Sequence, residues 1–227
     1  MYRDARLSLV VPCNNEEAGI REVIRRCPPA VDDIIVVDSH SSDRTAEVAR
    51  SLGATVVSAP RRGYGAAYKA GFAVARGELV ATLDGDASYP PEAIPGLVDH
   101  LIDERLDFLS ACRFPLADPG AMGLLNRWGN AALTAATVAL FGTPLRDSQS
   151  GMWVFRRSVL ERLQLSSDGM AFSQEIKLES ILRGCRFGEA HIAYGDRIGQ
   201  VKLKKWRDGW LNLSFLVSKR LRFGRRR

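Results

Sequence analysis

The sequence predicts an α/β fold, a mostly parallel central sheet flanked by helices on both faces. Three observations predict it. Short runs that are apolar on both faces alternate with segments of helical period through residue 113, the pattern of strands buried beneath helices. Glycines follow two of the helical segments, at Gly53 and Gly77, where a chain leaving a helix needs them. Polar residues collect just after the strand runs, at Asn14 to Glu17, Asp38 and Asp84 to Asp86, and ligands of parallel sheets bind at those carboxyl ends.

Taken in order, residues 7–12 (LSLVVP) form the first strand, and 15–26 a helix with Asn15 or Asn14 as cap and acids in its first turn. Residues 33–38 (DIIVVD) are a second strand, 42–52 a second helix, 54–58 a third strand and 64–76 a third helix. A fourth strand covers 78–84, a fourth helix 91–104 and a fifth strand 108–111. The rhythm then stops. Residues 122–141 read as one long helix whose uninterrupted apolar part, 131–141, is too short to span a bilayer. It is either a buried helix or one that rests on a membrane. In the last segment Trp206, Trp210, Leu213, Val217 and Leu221 share one helical face.

Composition bounds the function. A hydrophobic fraction of 46% and a charged fraction of 26% in 227 residues are those of an ordinary globular protein with a sizeable core. No fixed-period repeat is present, which excludes solenoids and propellers. Four cysteines without a CxxC pair, and three histidines, argue against a zinc site or a disulfide framework. The opening residues, Met1 to Arg6, are charged and unlike a signal peptide, so the cytoplasmic side is expected. Net charge is +6, yet residues 202–227 hold ten Lys/Arg against one acid, leaving −3 for the remainder. A mildly acidic body therefore carries a basic amphipathic tail, suited to an anionic surface or, failing that, to solvent.

The strongest chemical signal is Asp84-Gly85-Asp86 directly after an apolar strand. Two carboxylates flanking a small residue suit one hard cation, Mg2+ or Mn2+, and the diphosphate it bridges. Asp38 at another strand end suits a ribose hydroxyl or a base N–H, while Ser42 and Asp43 beside it suit a helix start. Residues 61–67 (RRGYGAA) open a helix with glycines and arginines, a weak phosphate signal.

Taken together, these motifs resemble the family 2 glycosyltransferases of GT-A fold, nearest the dolichol- and polyprenyl-phosphate mannose synthases and related glycosyltransferases. VPCNNE at 11–16 resembles that family's VPxYNE, and VDSHSSDRT at 37–45 its VDDxSxDxT. GYGAA at 63–67 is similar to its GxGxA loop, and LDGD at 83–86 with Pro90-Pro91-Glu92 to its LDADxxxPPE. Arg113, DSQSGM at 147–152 and RIGQVKL at 197–203 resemble three further elements in family order. Asn14, Ser39, Ser88 and Val201 depart from the pattern.

The resemblance implies an inverting enzyme that moves a hexose, mannose or glucose, from a nucleotide-diphosphate sugar to a polyprenyl or dolichyl phosphate. Pro12, Asn14, Glu16, Asp38, Ser39, Gly85 and Arg113 are expected at the donor, with Asp84 and Asp86 on the metal. Arg197 and Lys202 are expected at the acceptor phosphate, with Asp147 orienting the acceptor or acting as base, and Glu175 as a further site residue. Residues 1–203 then form the GT-A catalytic domain, 1–113 its nucleotide-sugar half and 114–203 its acceptor half. Residues 204–227 form the segment that meets the cytoplasmic face of the membrane peripherally. No nucleic-acid partner is expected. Two alternatives are a glycan or other hydroxyl acceptor, and a non-catalytic membrane or nucleic-acid binding module. A sugar-nucleotide pyrophosphorylase fits less well, because the loop after the first strand is acidic and lacks glycine until Gly19.

Overall fold

The computed structural model describes residues 1–199 and 205–224. Seven strands, β1 (Leu7–Cys13), β2 (Asp33–Asp38), β3 (Thr55–Ser58), β4 (Leu79–Thr82), β5 (Phe108–Cys112), β6 (Trp153–Arg156) and β7 (Phe187–His191), form one sheet in the order β3-β2-β1-β4-β6-β5-β7. Only β6 runs against its neighbours. The helices are α1 (Glu17–Arg26), α2 (Thr45–Ser51), α3 (Tyr64–Val74), α4 (Ile94–Asp103), α5 (Leu124–Phe141), α6 (Phe172–Leu182) and α7 (Lys205–Gly224).

Side chains alternate along β1, so the sheet feeds two cores. Leu9 and Val11 join Ile20, Val23, Val98 and Leu101 on the α1 and α4 side. Val10 joins Ile35, Tyr68, Phe72, Trp153 and Phe172 on the α3 and α6 side. Helix α3 sits close because Gly71 lacks a side chain; an added Cβ would stand 2.4 Å from Val10 Cγ1 and 2.9 Å from Val37 Cγ2.

The first five strands lie where the sequence pattern puts them, with ends shifted by a few residues. Beyond residue 113 the α/β pattern continues, contrary to expectation. β6 is only four residues long, and β7 is a half-exposed edge strand without a continuous apolar run. Because β6 enters between β4 and β5, residues on either side of position 113 build one sheet.

The long α5 is not a buried helix: of its residues only Thr137 is buried, while Leu124, Leu125 and Trp128 are 69%, 48% and 74% exposed. It packs beside α7. The inner face of α7 carries the buried Asn212 and Leu216, together with Lys219. Of the apolar stripe read from the sequence, Trp210, Val217 and Leu221 face outward instead, 70%, 46% and 64% exposed; Leu213 is half-buried, and the Trp206 side chain lies outside the described residues. No helix among the described residues is long and apolar enough to cross a membrane.

Lys219 fastens α7 to α6. Its Nζ lies 3.1 Å from Glu175 Oε1 and 2.8 Å from Glu179 Oε1, both carboxylates being buried. Burial raises the pKa of Glu179, but Lys219, the Gln164 N–H and Arg183 outweigh it and hold the group below its usual value. Replacing Lys219 by Met takes the cation from the buried Glu175 and leaves Glu179 with Arg183 alone, so Lys219→Met should cost about 3 kcal/mol in urea-induced unfolding. Wild-type stability in that variant would show that the pairing contributes nothing.

Candidate active site

The carboxyl ends of β1, β2 and β4 lie side by side. Two loops there are knitted together by local polar groups. Ser39 N donates to Cys13 O at 2.8 Å, and Asn14 Nδ2 donates to Ser39 O at 2.7 Å. Asn15 takes a left-handed φ of 52°, a conformation asparagine tolerates. Its Oδ1 accepts from Ser42 N at 2.6 Å and from Asp43 N at 3.4 Å. Neither Asn14 nor Asn15 caps the first helix. The cap comes from across the loops: Glu16 N donates to Thr45 Oγ1 and Glu17 N to Asp43 Oδ2, so α1 begins at Glu17.

Glycines bring the tip of β4 against that of β1. A Cβ on Gly85 would meet Cys13 Sγ at 2.4 Å and Pro12 O at 3.3 Å, and a Cβ on Gly19 would meet Gly85 O at 2.3 Å. Gly85 is buried here, and what its missing side chain permits is this packing. The flanking aspartates are thereby fixed. Tyr64 Oη donates to Asp84 Oδ1 at 2.8 Å. Asp86, 5% exposed, accepts at Oδ1 from Ser88 N at 3.0 Å and Ser88 Oγ at 2.6 Å. Arg197 bridges the site, with Nη1 3.3 Å from Asp86 Oδ2 and Nη2 donating to Glu16 Oε1 at 2.8 Å.

Burial, then the charge of Asp86, push the Asp84 carboxyl up to about 7, against the pull of Tyr64, Arg113 and Arg197. A desolvated acid beside a like charge disfavours a second negative charge until a cation joins it. The donor set is two carboxylates, and among the described residues no three His, Cys, Asp or Glu side chains gather to hold a metal. That suits a hard divalent ion whose remaining ligands are water and phosphate oxygens. Asp38 stands apart from this pair. Two strand spacings, about 10 Å, separate its strand from β4, and its Oδ1 accepts from Ser41 N.

On the opposite side Arg113, 6% exposed, meets the wholly buried Asp147 in a fork. Nε donates to Oδ2 and Nη2 to Oδ1, each at 2.8 Å, and the Arg113 N–H adds a third bond. The guanidinium also lies over the rings of Tyr194 and Phe114. Burial would raise the pKa of Asp147, but Arg113 and then Lys177 reverse this and bring it down to about 2. A carboxylate so fully bonded suits holding Arg113 in place better than taking up a proton, the orienting of the two roles expected for Asp147. Glu175 is likewise occupied, accepting from Ser166 N, Ser167 N and Lys219 Nζ. In the 61–67 loop Arg61 pairs with Asp168, and Gly63 has φ 138° with no room for a Cβ beside Asp168 O. Lys202 and Val201 lie outside the described residues.

Tyr64 and Lys177 were not anticipated. Tyr64 had a usable signal, since it stands between Gly63 and Gly65, where only a specific contact would favour a bulky residue. Lys177 had none. A groove of about 620 Å³ runs along α5, lined by Phe114, Ala131, Ala135, Val138 and Leu145, with Arg127 also on its wall.

Residues 8–164 match the family described as glycosyl transferase family 2. The low-salt glycan biosynthesis hexosyltransferase Agl6 of Haloferax volcanii is 34% identical over 218 residues, 93% of this chain and 53% of that protein, so the chain spans about half its length. The dolichyl-phosphate hexose transferase of the same organism is 32% identical over 206 residues, 89% of each chain. A crystal structure of glucosyl-3-phosphoglycerate synthase from Mycobacterium tuberculosis, with Mn2+, uridine diphosphate and phosphoglyceric acid, has a TM-score of 0.79 at 24% identity. It covers 96% of this chain and 79% of that one, a likeness of fold that agrees with the expected GT-A architecture.

Asp147 predicts a pH signature. Its folded pKa is depressed, so its stabilising contribution is complete above the unfolded value of about 3.9 and fades as pH falls towards about 2. Asp147→Asn should lose about 3 kcal/mol at pH 7 by leaving Arg113 buried and unpaired. The gap between variant and wild type in denaturant unfolding should narrow below about pH 4; a gap that stays constant to pH 2 refutes the assignment.

Proposed function

The chain belongs to glycosyl transferase family 2, as its motifs led us to expect, and on that premise we propose that it transfers a hexosyl group from a nucleoside-diphosphate sugar to a polyprenyl phosphate at a membrane surface. The observation that carries this reading is the carboxylate pair Asp84 and Asp86 at the tip of β4, with Arg197 paired to Asp86 and the field of Arg113 reaching Asp84. A relative named a dolichyl-phosphate hexose transferase supports the acceptor class. A similar fold crystallised with Mn2+ and uridine diphosphate supports the donor and metal classes.

Asp84 and Asp86 would hold Mg2+ or Mn2+, which when bound offsets the charge that develops on the departing diphosphate. The chain's own residues do the rest. Pro12, Asn14, Glu16, Asp38 and Ser39 line the nucleoside side, at the ends of β1 and β2 and on the two loops that follow them and bind each other. Arg113 presents a positive charge held rigid by Asp147. Arg197 leaves Glu16 or Asp86 to meet phosphate, and Lys202 assists at the acceptor. A phosphomonoester has a second pKa of about 6 and is already anionic at neutral pH, so a single in-line displacement with inversion needs no strong base. Positioning and charge stabilisation supply the rate, in keeping with an Asp147 that is bound up in an ion pair.

The groove along α5 offers apolar walls for the first isoprene units, with Arg127 beside their phosphate. The outward residues Leu124, Trp128, Trp210 and Leu221 enter the headgroup region. Lys and Arg of the tail add on the order of 1 kcal/mol each at an anionic, cytoplasmic leaflet.

Two experiments test this. Labelled guanosine and uridine diphosphate hexoses, given polyprenyl phosphate and Mn2+ or Mg2+, should yield an organic-extractable product. Asp86→Asn should cut its formation by about a hundredfold or more, and full turnover would remove the metal assignment. Product that stays in the aqueous phase would mean a hydroxyl acceptor. For the surface, Trp210→Glu combined with Leu221→Glu should weaken partitioning onto anionic vesicles by about tenfold or more with unchanged melting. Equal partitioning would defeat the membrane reading. Point changes are the right probe because deleting α7 would also uncover Glu175 and Glu179.

A further inference from the structure

Lys177 lies in the middle of α6 with its side chain wholly buried. Its ammonium donates to two backbone carbonyls three residues apart, Asp147 O and Ser150 O, both at 2.9 Å. A buried ammonium is costly, and burial brings its pKa down to about 7. Packing alone would be better served by an apolar side chain. The segment it grips explains what the charge holds in place.

Residues 147–151 join the two halves of the site. At one end the Asp147 carboxylate forks onto Arg113. At the other, Gly151 lies against the Asp84 carboxylate. A Cβ there would be 3.1 Å from both oxygens of Asp84 and 2.4 Å from Tyr64 Oη. Gly151 is fixed by Tyr89 Oη on its N–H at 2.7 Å, and its carbonyl accepts from Tyr68 Oη and Thr82 Oγ1. Between these ends the Ser150 carbonyl accepts from Lys177, from Ser173 Oγ at 2.8 Å and from Trp153 Nε1 at 2.8 Å. The Lys177 ammonium spans the turn between the Arg113 anchor and the Asp84 contact.

We infer that Lys177 is a positioning residue for sugar transfer: by tying Asp147 O to Ser150 O it sets the separation of the Arg113 guanidinium and the Asp84 carboxylate, between which the donor diphosphate and its cation fit. This rests on the function proposed above. Lys177 touches neither substrate nor metal, and its effect reaches the reaction through Asp147 and Gly151.

The test compares full-length wild type, Lys177→Met and Ser173→Ala. Ser173→Ala removes a second donor from the same carbonyl and touches no charge. Melting temperature, kcat and KM for both substrates, and calorimetric binding of uridine or guanosine diphosphate with Mn2+ are measured, the rates well below each melting point. A misplacement near 1 Å costs about a hundredfold in rate, so Lys177→Met should lose at least about tenfold in kcat and bind the nucleotide–Mn2+ pair more weakly. The acceptor KM should stay within about threefold, because the acceptor contacts are untouched. Ser173→Ala should shift kcat and nucleotide binding the same way by a smaller factor. A purely packing role predicts a lower melting temperature with wild-type kcat and nucleotide affinity in the folded variant, and that result overturns the inference while leaving the transferase reading intact. If Lys177→Met does not fold, Ser173→Ala decides alone, and unchanged kcat and affinity in it count against the inference. A wild type that neither turns over nor binds any donor nucleotide refutes the transferase reading, and the positioning role falls with it.

Discussion

Gly85 rests on the sulfur of Cys13, and Gly19 on the carbonyl of Gly85, with no space for a side chain at either glycine. That contact presses the loop after β4 against the tip of β1, and the arrangement of the site follows from it. Asp84 and Asp86 sit on either side of the contact and are held by groups the main chain has already placed, Tyr64 for one and Ser88 for the other. Sheet order supplies the rest. β1 has β2 on one side and β4 on the other, so the loops after β1 and β2 and the carboxylate pair share one carboxyl end of the sheet. A methyl group at position 85 would separate them without altering a single ionisable residue.

Charge in this region is arranged in opposed pairs. Glu16 and Asp86 share Arg197, and Asp147 holds Arg113. The two arginines are held differently. Arg113 is buried, forked and covered by aromatic rings, so it behaves as a fixed charge. Arg197 is joined to two carboxylates from different loops, and its side chain is 28% exposed. Preorganised charge is the cheaper source of rate, while a charge that can exchange partners suits an incoming anion. On this division Arg113 belongs to the site's rigid frame, and Arg197 is the group that, under the proposed function, would exchange its partners for phosphate.

The sequence disclosed the parts of this arrangement whose causes are local. β1, β2 and β4 were legible because strands buried on both faces are apolar throughout, and their terminal carboxylates stood out against that background. Asp33 to Asp38 was read to the residue. β7 was not, because an edge strand with half-exposed residues such as Gly188 and Glu189 has no apolar signature. The start of α1 was misread for a related reason: Asn15 has the chemistry of a cap but spends it on Ser42 and Asp43, in another loop. The Arg113–Asp147 fork joins residues 34 apart in sequence, and Lys177 meets its carbonyls 27 and 30 residues away. Nothing in periodicity encodes such distances; they come from β6 entering the sheet between β4 and β5.

Helix α7 turns the usual amphipathic logic inside out. A helix on a water-soluble domain buries its apolar stripe and exposes its charges. Here the inner side includes Asn212, hydrogen-bonded to Gln149 and Gln174, and Lys219, seated between two buried carboxylates, with Leu216 the buried apolar residue among them. Trp210, Leu211, Val217 and Leu221 are left on the outside. Tryptophan and leucine turned to water forgo about 1.5–3 kcal/mol apiece relative to burial, whereas polar bonds to the domain cost desolvation at every contact. The combination is unfavourable for a helix whose two sides are protein and water. It becomes favourable when the outer side meets a headgroup layer, because the polar bonds then fix the helix in one orientation and the apolar residues supply the adhesion. The neighbouring α5 exposes Leu124, Leu125 and Trp128 and carries the groove whose lining includes Phe114, next in sequence to Arg113. On the function proposed, a surface that adheres to lipid would also hold a lipid-borne acceptor at the groove that Phe114 and Arg127 line.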